Sequence, residues 1–173
     1  MSGRTALGPA GVLARQITAA LAAAGHTVAV AESLTAGRLA AALADAPGAG
    51  QTFLGGVVAY DTDLKAVLLR VDAALLAERG AVDVEVAAQM AQGVRAVTGA
   101  TYALATTGVA GPASQDGQPV GTVFIAAAAP YTTVTAAPRP DPGRREDIQN
   151  RTVLAALQLL RDLLRPPGEA RTP

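Results

Sequence analysis

From about residue 10, Leu13, Ile17 and Leu21 recur at helical spacing with alanines between them, which predicts a helix ending at Gly25. TVAVAES (27–33) then reads as a short buried strand, and TAGRLAAALADAPG (35–48) as a helix stopped by its Pro-Gly pair. FLGGVVAYD (53–61) predicts a second strand, with Gly55 and Gly56 suited to a bulge or a close backbone approach, and DLKAVLL a short helix. VDAALLAERGAV looks like a small helix and turn. Asp83 is placed to cap a longer helix that carries Val86, Met90, Val94 and Val97 on one face. TYALATTG predicts a third strand and VAGPASQDGQP a loop, while VGTVFIAAAAP and TTVTAAP predict two more strands, as a hairpin or as neighbours. RPDPG is a turn, and from Arg144 to Leu164 the positions Ile148, Thr152, Ala155, Leu159 and Leu163 trace a closing helix.

Strands alternating with helices predict an α/β fold, a three-layer α/β/α sandwich whose central sheet is mostly parallel and made mixed by the late consecutive strands. The 173 residues, half of them hydrophobic, suit one domain over residues 10–164, with a flexible leader at 1–9 and a disordered tail at 165–173. No internal repeat is present. In such sheets ligands gather where loops leave the carboxyl ends of strands. Three polar clusters fall there: Glu32-Ser33-Thr35, Tyr60 to Lys65, and Thr106-Thr107-Gly108.

Charge and composition narrow the function. The 14 acidic side chains balance the 14 basic ones at a pI near 6.6, so there is no basic excess to pair with a nucleic-acid backbone. No apolar stretch reaches the roughly 18 residues needed to span a bilayer, and the N-terminus lacks a signal pattern, so a cytoplasmic protein without membrane partners is expected. The absence of cysteine excludes disulfides, zinc-thiolate sites and a thiol nucleophile. The one histidine, His26, cannot build a multi-histidine metal site and reads as a solvated loop residue. Of the 14 basic residues 13 are arginine, and the exception is Lys65.

Serine needs a proton acceptor before it is a useful nucleophile, and here the choices are a carboxylate or a neutral amine. Lysine can supply that amine when burial lowers its pKa, whereas arginine stays protonated. Lys65 therefore stands either where arginine would not serve or by chance. Ser33 is either the cap of a helix beginning near Thr35 or a nucleophile at a strand-to-helix turn, with free N–H groups of the helix start behind it. A capping-box partner is missing, since Ala36 and Arg38 stand at the two possible positions, and Gly37 in a first helical turn is costly. Tyr60, five residues before Lys65, is a pocket residue or an ordinary strand-end tyrosine. TTGVAGP offers backbone donors to a phosphate or carboxylate without being a GxGxxG or a P-loop. Arg144 and Arg145 are a phosphate clamp or two exposed turn residues.

Taken in order, AESLTAG, FLGGVVAYDTDLKAVLL, GAVDVEVAAQMAQG, TTGVAGP and PVGTVFIA resemble the CinA C-terminal domain family, over residues 10–164. AESLTAG is similar to the family's AESCTGG, with Leu34 for the cysteine and Ala36 for the first glycine, and Tyr60 and Lys65 keep its Tyr-x-x-x-x-Lys spacing. The resemblance implies hydrolysis of nicotinamide mononucleotide to nicotinate mononucleotide and ammonia, in pyridine-nucleotide salvage, without metal or cofactor. It makes Ser33 the nucleophile and Lys65 its base, with Tyr60 beside them. It places Glu32, Thr35, Gly37, Thr107 and Gly108 around the substrate, with Arg145 on its phosphate. It also implies a homo-oligomer. Departures from the family are Arg144 for an aspartate, Gln149 for a frequent basic residue, Gln118 for a frequent lysine, and a shortened loop before PVGTV. The alternatives are a serine-lysine amidase for another small amide and a non-catalytic nucleotide-binding domain of the same fold.

Overall fold

The computed structural model describes residues 8–139 and 141–165. In chain order the elements are α1 (Pro9–Ala24), β1 (Val28–Glu32), α2 (Arg38–Ala44), α3 (Ala49–Thr52), β2 (Phe53–Val58), α4 (Thr62–Leu69), α5 (Ala73–Arg79), α6 (Val84–Thr98), β3 (Tyr102–Gly108), β4 (Val123–Ala128), β5 (Thr133–Ala136) and α7 (Arg145–Leu164). The sheet order is β2-β1-β3-β4-β5. β1 pairs in parallel with β2 and β3, and β3-β4 and β4-β5 are antiparallel, so four of the five strands point the same way.

Side-chain alternation along the strands gives the sheet two unlike faces. Val28, Val30, Leu104 and Ile125 meet Leu13, Ile17 and Leu21 of α1, Leu39 and Leu43 of α2, and Leu157 and Leu160 of α7. The opposite face is alanine at its buried centre, with Ala29, Ala31, Ala103, Ala105, Ala126 and Ala128 packed on Val86, Met90 and Val94 of α6, and Val57 and Phe124 at its margins. Small side chains let a helix lie close to the strands. The same economy recurs between helices, where a Cβ on Gly93 of α6 would sit 1.8 Å from the carbonyl oxygen of Leu69 at the end of α4. The result is the expected three-layer sandwich, in which the carboxylates of Asp61, Asp72 and Asp83 each cap the helix that follows by accepting a backbone N–H.

The structure corrects several expectations. α2 begins at Arg38, not near Thr35, because residues 34–37 form a turn and Gly37 precedes the helix with φ of 93°, a conformation that suits glycine. α3 was not expected, and β2 ends at Val58, short of Asp61. Val97 is exposed and leaves the buried stripe of α6. In α7 the fully buried positions are Val153, Ala156, Leu157 and Leu160 beside Ile148 and Thr152, while Ala155, Leu159 and Leu163 only flank them. Most of the expected leader (1–7) and tail (166–173) lies outside the described residues. Among the described residues no helix is long and apolar enough to cross a membrane.

Candidate active site

β1 lies between β2 and β3, and the chain leaves its carboxyl end toward α2, so this end is the switch point of the sheet. Its last residue, Glu32, is fully buried with both carboxylate oxygens occupied. Oε2 accepts the N–H of Gly37 (3.0 Å) and of Leu39 (3.0 Å), and Oε1 accepts that of Ala40 (2.8 Å). The carboxylate thus satisfies the orphan donors at the start of α2 and complements the positive end of its dipole. Two expectations change. Neither Ser33 nor Thr35 caps this helix, and its first N–H groups are not free to hold an oxyanion.

Ser33 follows directly, held by its N–H to the carbonyl of Thr106 (3.0 Å), while its own carbonyl accepts from Ala36 (3.1 Å). Its hydroxyl has no protein partner among the described residues, nor do the N–H groups of Leu34 and Thr35. The carbonyl of Leu34 accepts from Gln149 Nε2 of α7 (2.7 Å), and Gln149 Oε1 accepts from Arg38 Nε (3.1 Å). One amide side chain therefore pins the turn from both sides. Thr35 is fully buried, sharing a 2.8 Å hydrogen bond with the hydroxyl of Thr106.

Among the described residues Lys65 is the largest side chain that the fold buries completely, at 1 % exposure. Its Nζ donates to the carbonyls of Ala59 (2.8 Å), Tyr60 (3.3 Å) and Asp61 (3.4 Å), at the end of β2. Burial lowers its pKa from 10.5 to about 8, against the opposing fields of Asp61 and Asp116. Ser33 and Lys65 share no direct hydrogen bond. Ala59 joins their strand ends, donating its N–H to the carbonyl of Glu32 (2.8 Å) and accepting from Lys65 through its own carbonyl.

Ser33, Leu34, Tyr60, Gly108 to Gly111, Ala113, Gln115 and Arg145 line one small pocket of about 60 Å³. Across its mouth Arg145 donates to the hydroxyl of Tyr60 and, through its other terminal nitrogen, to the carbonyl of Gly111 (2.7 Å). Arg144 instead pairs with Asp147 at 3.0 Å. Gly108 lies against the next strand, where a Cβ would come within 2.5 Å of the carbonyl oxygen of Thr122. The hydroxyl of Thr107 is committed to the carbonyl of Ala81 (2.6 Å). Of the residues singled out in the sequence, Ser33, Tyr60, Gly108 and Arg145 thus meet at the pocket. Glu32, Thr35 and Thr107 spend their polar atoms on the frame around it, and Gly37 serves the turn.

His26 is half-buried edge-on against Tyr102, before the start of β1. Seven residues of largely extended chain, roughly 20 Å, separate it from Ser33, so it takes no part in a triad there. No group of three or more His, Cys, Asp or Glu side chains among the described residues is arranged to hold a metal ion. A larger cavity, about 580 Å³, lies between the start of α1, α2 and α7, away from these groups, and its lining is mainly apolar. Chemistry rather than size therefore selects the pocket at Ser33. Gln149, which pins the turn, and Asp116, which accepts the N–H of Ala81 (2.7 Å), are residues that local pattern did not single out for these contacts, since their partners lie 115 and 35 positions away.

The family model for the CinA C-terminal domain matches residues 11–164. A CinA-like protein of Frankia casuarinae is 54% identical over 138 residues, covering 80% of this chain and 32% of that protein. A CinA-like protein of Mycolicibacterium gilvum is 44% identical over 154 residues, covering 88% and 36%. The chain thus spans about a third of the length of the curated relatives it matches. Among solved structures, the competence/damage inducible protein CihA from Agrobacterium tumefaciens superposes with a TM-score of 0.89 at 34% identity, covering 95% of this chain and all of that one. A CinA superfamily protein from Escherichia coli gives 0.85 at 32% identity, covering 89% and 90%. Matching motifs, an unbroken family match and the shared fold agree that the chain belongs to the CinA C-terminal domain family.

Proposed function

We propose that this chain is an amidohydrolase that converts nicotinamide mononucleotide to nicotinate mononucleotide and ammonia through Ser33 and Lys65. The observation that carries this reading is the single lysine of the chain, fully buried at a strand end next to that of Ser33 and with its pKa lowered to about 8. A lysine buried without an acid to pair with directly is costly to keep. Arginine outnumbers lysine 13 to one in this sequence, and only lysine can give up its proton at accessible pH.

The protonated amine spends its three hydrogens on three carbonyls. Loss of one proton leaves two donors and a lone pair to which no carbonyl can donate, so the neutral amine turns a face away from the strand end. It then takes the Ser33 hydroxyl proton as Oγ attacks the carboxamide carbon, and the carbonyl oxygen becomes an oxyanion. The N–H of Leu34, which lines the pocket and has no protein acceptor, is assigned as a donor to it. Collapse breaks the C–N bond, and the proton held by Lys65 passes to the departing nitrogen to give ammonia. Water, deprotonated by Lys65, then attacks the acyl carbon; the bond to Ser33 Oγ breaks, Lys65 returns its proton to that oxygen, and the carboxylate leaves. A pocket of about 60 Å³ holds a carboxamide and leaves the rest of the nucleotide over Tyr60 and Arg145.

That size also favours a second reading, an amidase of the same mechanism for a smaller amide. The test is ammonia release from nicotinamide mononucleotide and a panel of small amides, by the parent and by folded Ser33→Ala and Lys65→Arg variants. Turnover of the nucleotide by the parent alone supports the first reading. Turnover confined to other amides transfers support to the second, and activity that survives both substitutions refutes the mechanism.

A further inference from the structure

The loop between β3 and β4 supplies a large part of the pocket wall, and one carboxylate fastens it. Gln115 and Gln118 exchange backbone hydrogen bonds (3.1 and 2.8 Å) around Asp116 and Gly117, whose φ values of 52° and 73° make a two-residue turn of primed type. From the tip of that turn Asp116 Oδ2 accepts the N–H of Ala81 (2.7 Å) in the linker between α5 and α6. The neighbouring Gly80 is shaped to receive it, since a Cβ there would lie 2.5 Å from Asp116 Cγ. On the other side of the same peptide linker, the carbonyl of Ala81 accepts from Thr107 at the end of β3. Ala81 is therefore gripped between the strand and the loop.

Resting on the reading of Ser33 and Lys65 given above, we propose that Asp116 is a positioning residue of this site, a charged latch that fixes the pocket-lining loop to the α5–α6 linker and sets a second carboxylate in the field of Lys65. Among the described residues, Asp61, the cap of α4, and Asp116 both favour the protonated form of the lysine. Glu85 of α6 lies with Arg70 at the far end of α4. Asp116 thus has two separable duties, because asparagine at this position can still accept the Ala81 N–H but carries no charge.

The experiment uses the whole chain as parent, Asp116→Asn and Asp116→Ala. Because the chain has one lysine, labelling with 15Nζ-lysine yields a single side-chain signal whose titration reports Lys65 directly. The parent midpoint is expected at about 8, and both variants should titrate at lower pH. Exchange of the Ala81 amide should be slow in the parent and in Asp116→Asn, and at least about tenfold faster in Asp116→Ala, where the acceptor is gone. With a substrate identified, KM should rise about tenfold in Asp116→Ala and be largely restored in Asp116→Asn. Unchanged lysine titration in both variants, or unchanged Ala81 exchange in Asp116→Ala, overturns the proposal. Neither readout needs turnover, so a failed deamidase reading and a failed latch are told apart.

Discussion

Replacing Glu32 by glutamine separates a framework role from a substrate-binding one. The carboxylate is fully buried and accepts three backbone N–H groups, two at Oε2 and one at Oε1. Glutamine preserves shape but offers one oxygen. In its better orientation it keeps the Gly37 and Leu39 bonds and turns an NH₂ group toward the N–H of Ala40. The change loses one charge-assisted hydrogen bond, sets two donors against each other in a dry site and removes the negative charge from the start of α2. A bond of that kind is worth about 1.5–3 kcal/mol, and an unsatisfied buried donor costs about 1–3. We therefore expect Glu32→Gln to destabilise the protein by about 3 kcal/mol, which for a domain of this size lowers Tm by about 9 °C. Differential scanning calorimetry at pH 7 measures this directly. A Tm within about 2 °C of the parent would refute the capping account and return Glu32 to the substrate.

Four further outcomes are expected. In kcat/KM against pH, activity should rise as Lys65 loses its proton and level off above about 8, and a profile flat from pH 6 to 9 contradicts its role as base. Stability carries the same signature: between about 8 and 10.5 the unfolded chain holds the Lys65 proton and the folded chain does not, so stability rises with pH across that window. Relative to Lys65→Met, which lacks this proton, the parent should gain about 3 kcal/mol over that range in urea titrations. Gly93→Ala should cost about 3 kcal/mol or prevent folding, because its Cβ meets the Leu69 carbonyl, and near-parent urea stability would show that α4 and α6 can separate cheaply. Gln149→Leu, which frees the Leu34 carbonyl and Arg38, should lower kcat more than it raises KM by loosening the turn that carries Ser33, and a change in KM alone would place Gln149 on the substrate instead.

Local chemistry explains what could be read in advance. The short apolar run TVAVA announced β1, and the aspartate at 83 with its apolar periodicity announced α6, because both signals are local to the element they specify. The start of α2 was illegible for the converse reason. Its cap comes from a glutamate at the end of the preceding strand, five to eight residues upstream of the donors it satisfies, so no Ser/Thr capping pattern marks the boundary. The cost of Gly37 in a first helical turn was visible, and it reflects the turn that this cap closes. The lone lysine among arginines singled out the buried amine. Asp116 gave little sign, since an Asp-Gly pair in a loop announces only a turn, and its grip on Ala81 exists only after the sheet has formed. Thr35 and Thr107 stand in the motifs, yet their hydroxyls bind the fold's own atoms, a distinction that depends on side-chain direction.

The notch at Gly93 has a mechanical consequence. α4 carries Lys65 and touches α6 backbone to backbone, and α6 rests on a sheet face whose buried positions are mostly alanines, with few long side chains between to yield. The backbone that carries Lys65 is therefore part of one solid block formed by the sheet and α6, and shifting it toward or away from β1 would require moving that block. On the opposite rim the grip is made by side chains, with the Arg145 guanidinium spanning Tyr60 and Gly111 and the Asp116 carboxylate holding the loop. Compliance in this molecule is thus one-sided: the rim of the pocket is held by side chains that can swing, while the backbone that carries Lys65 is fixed.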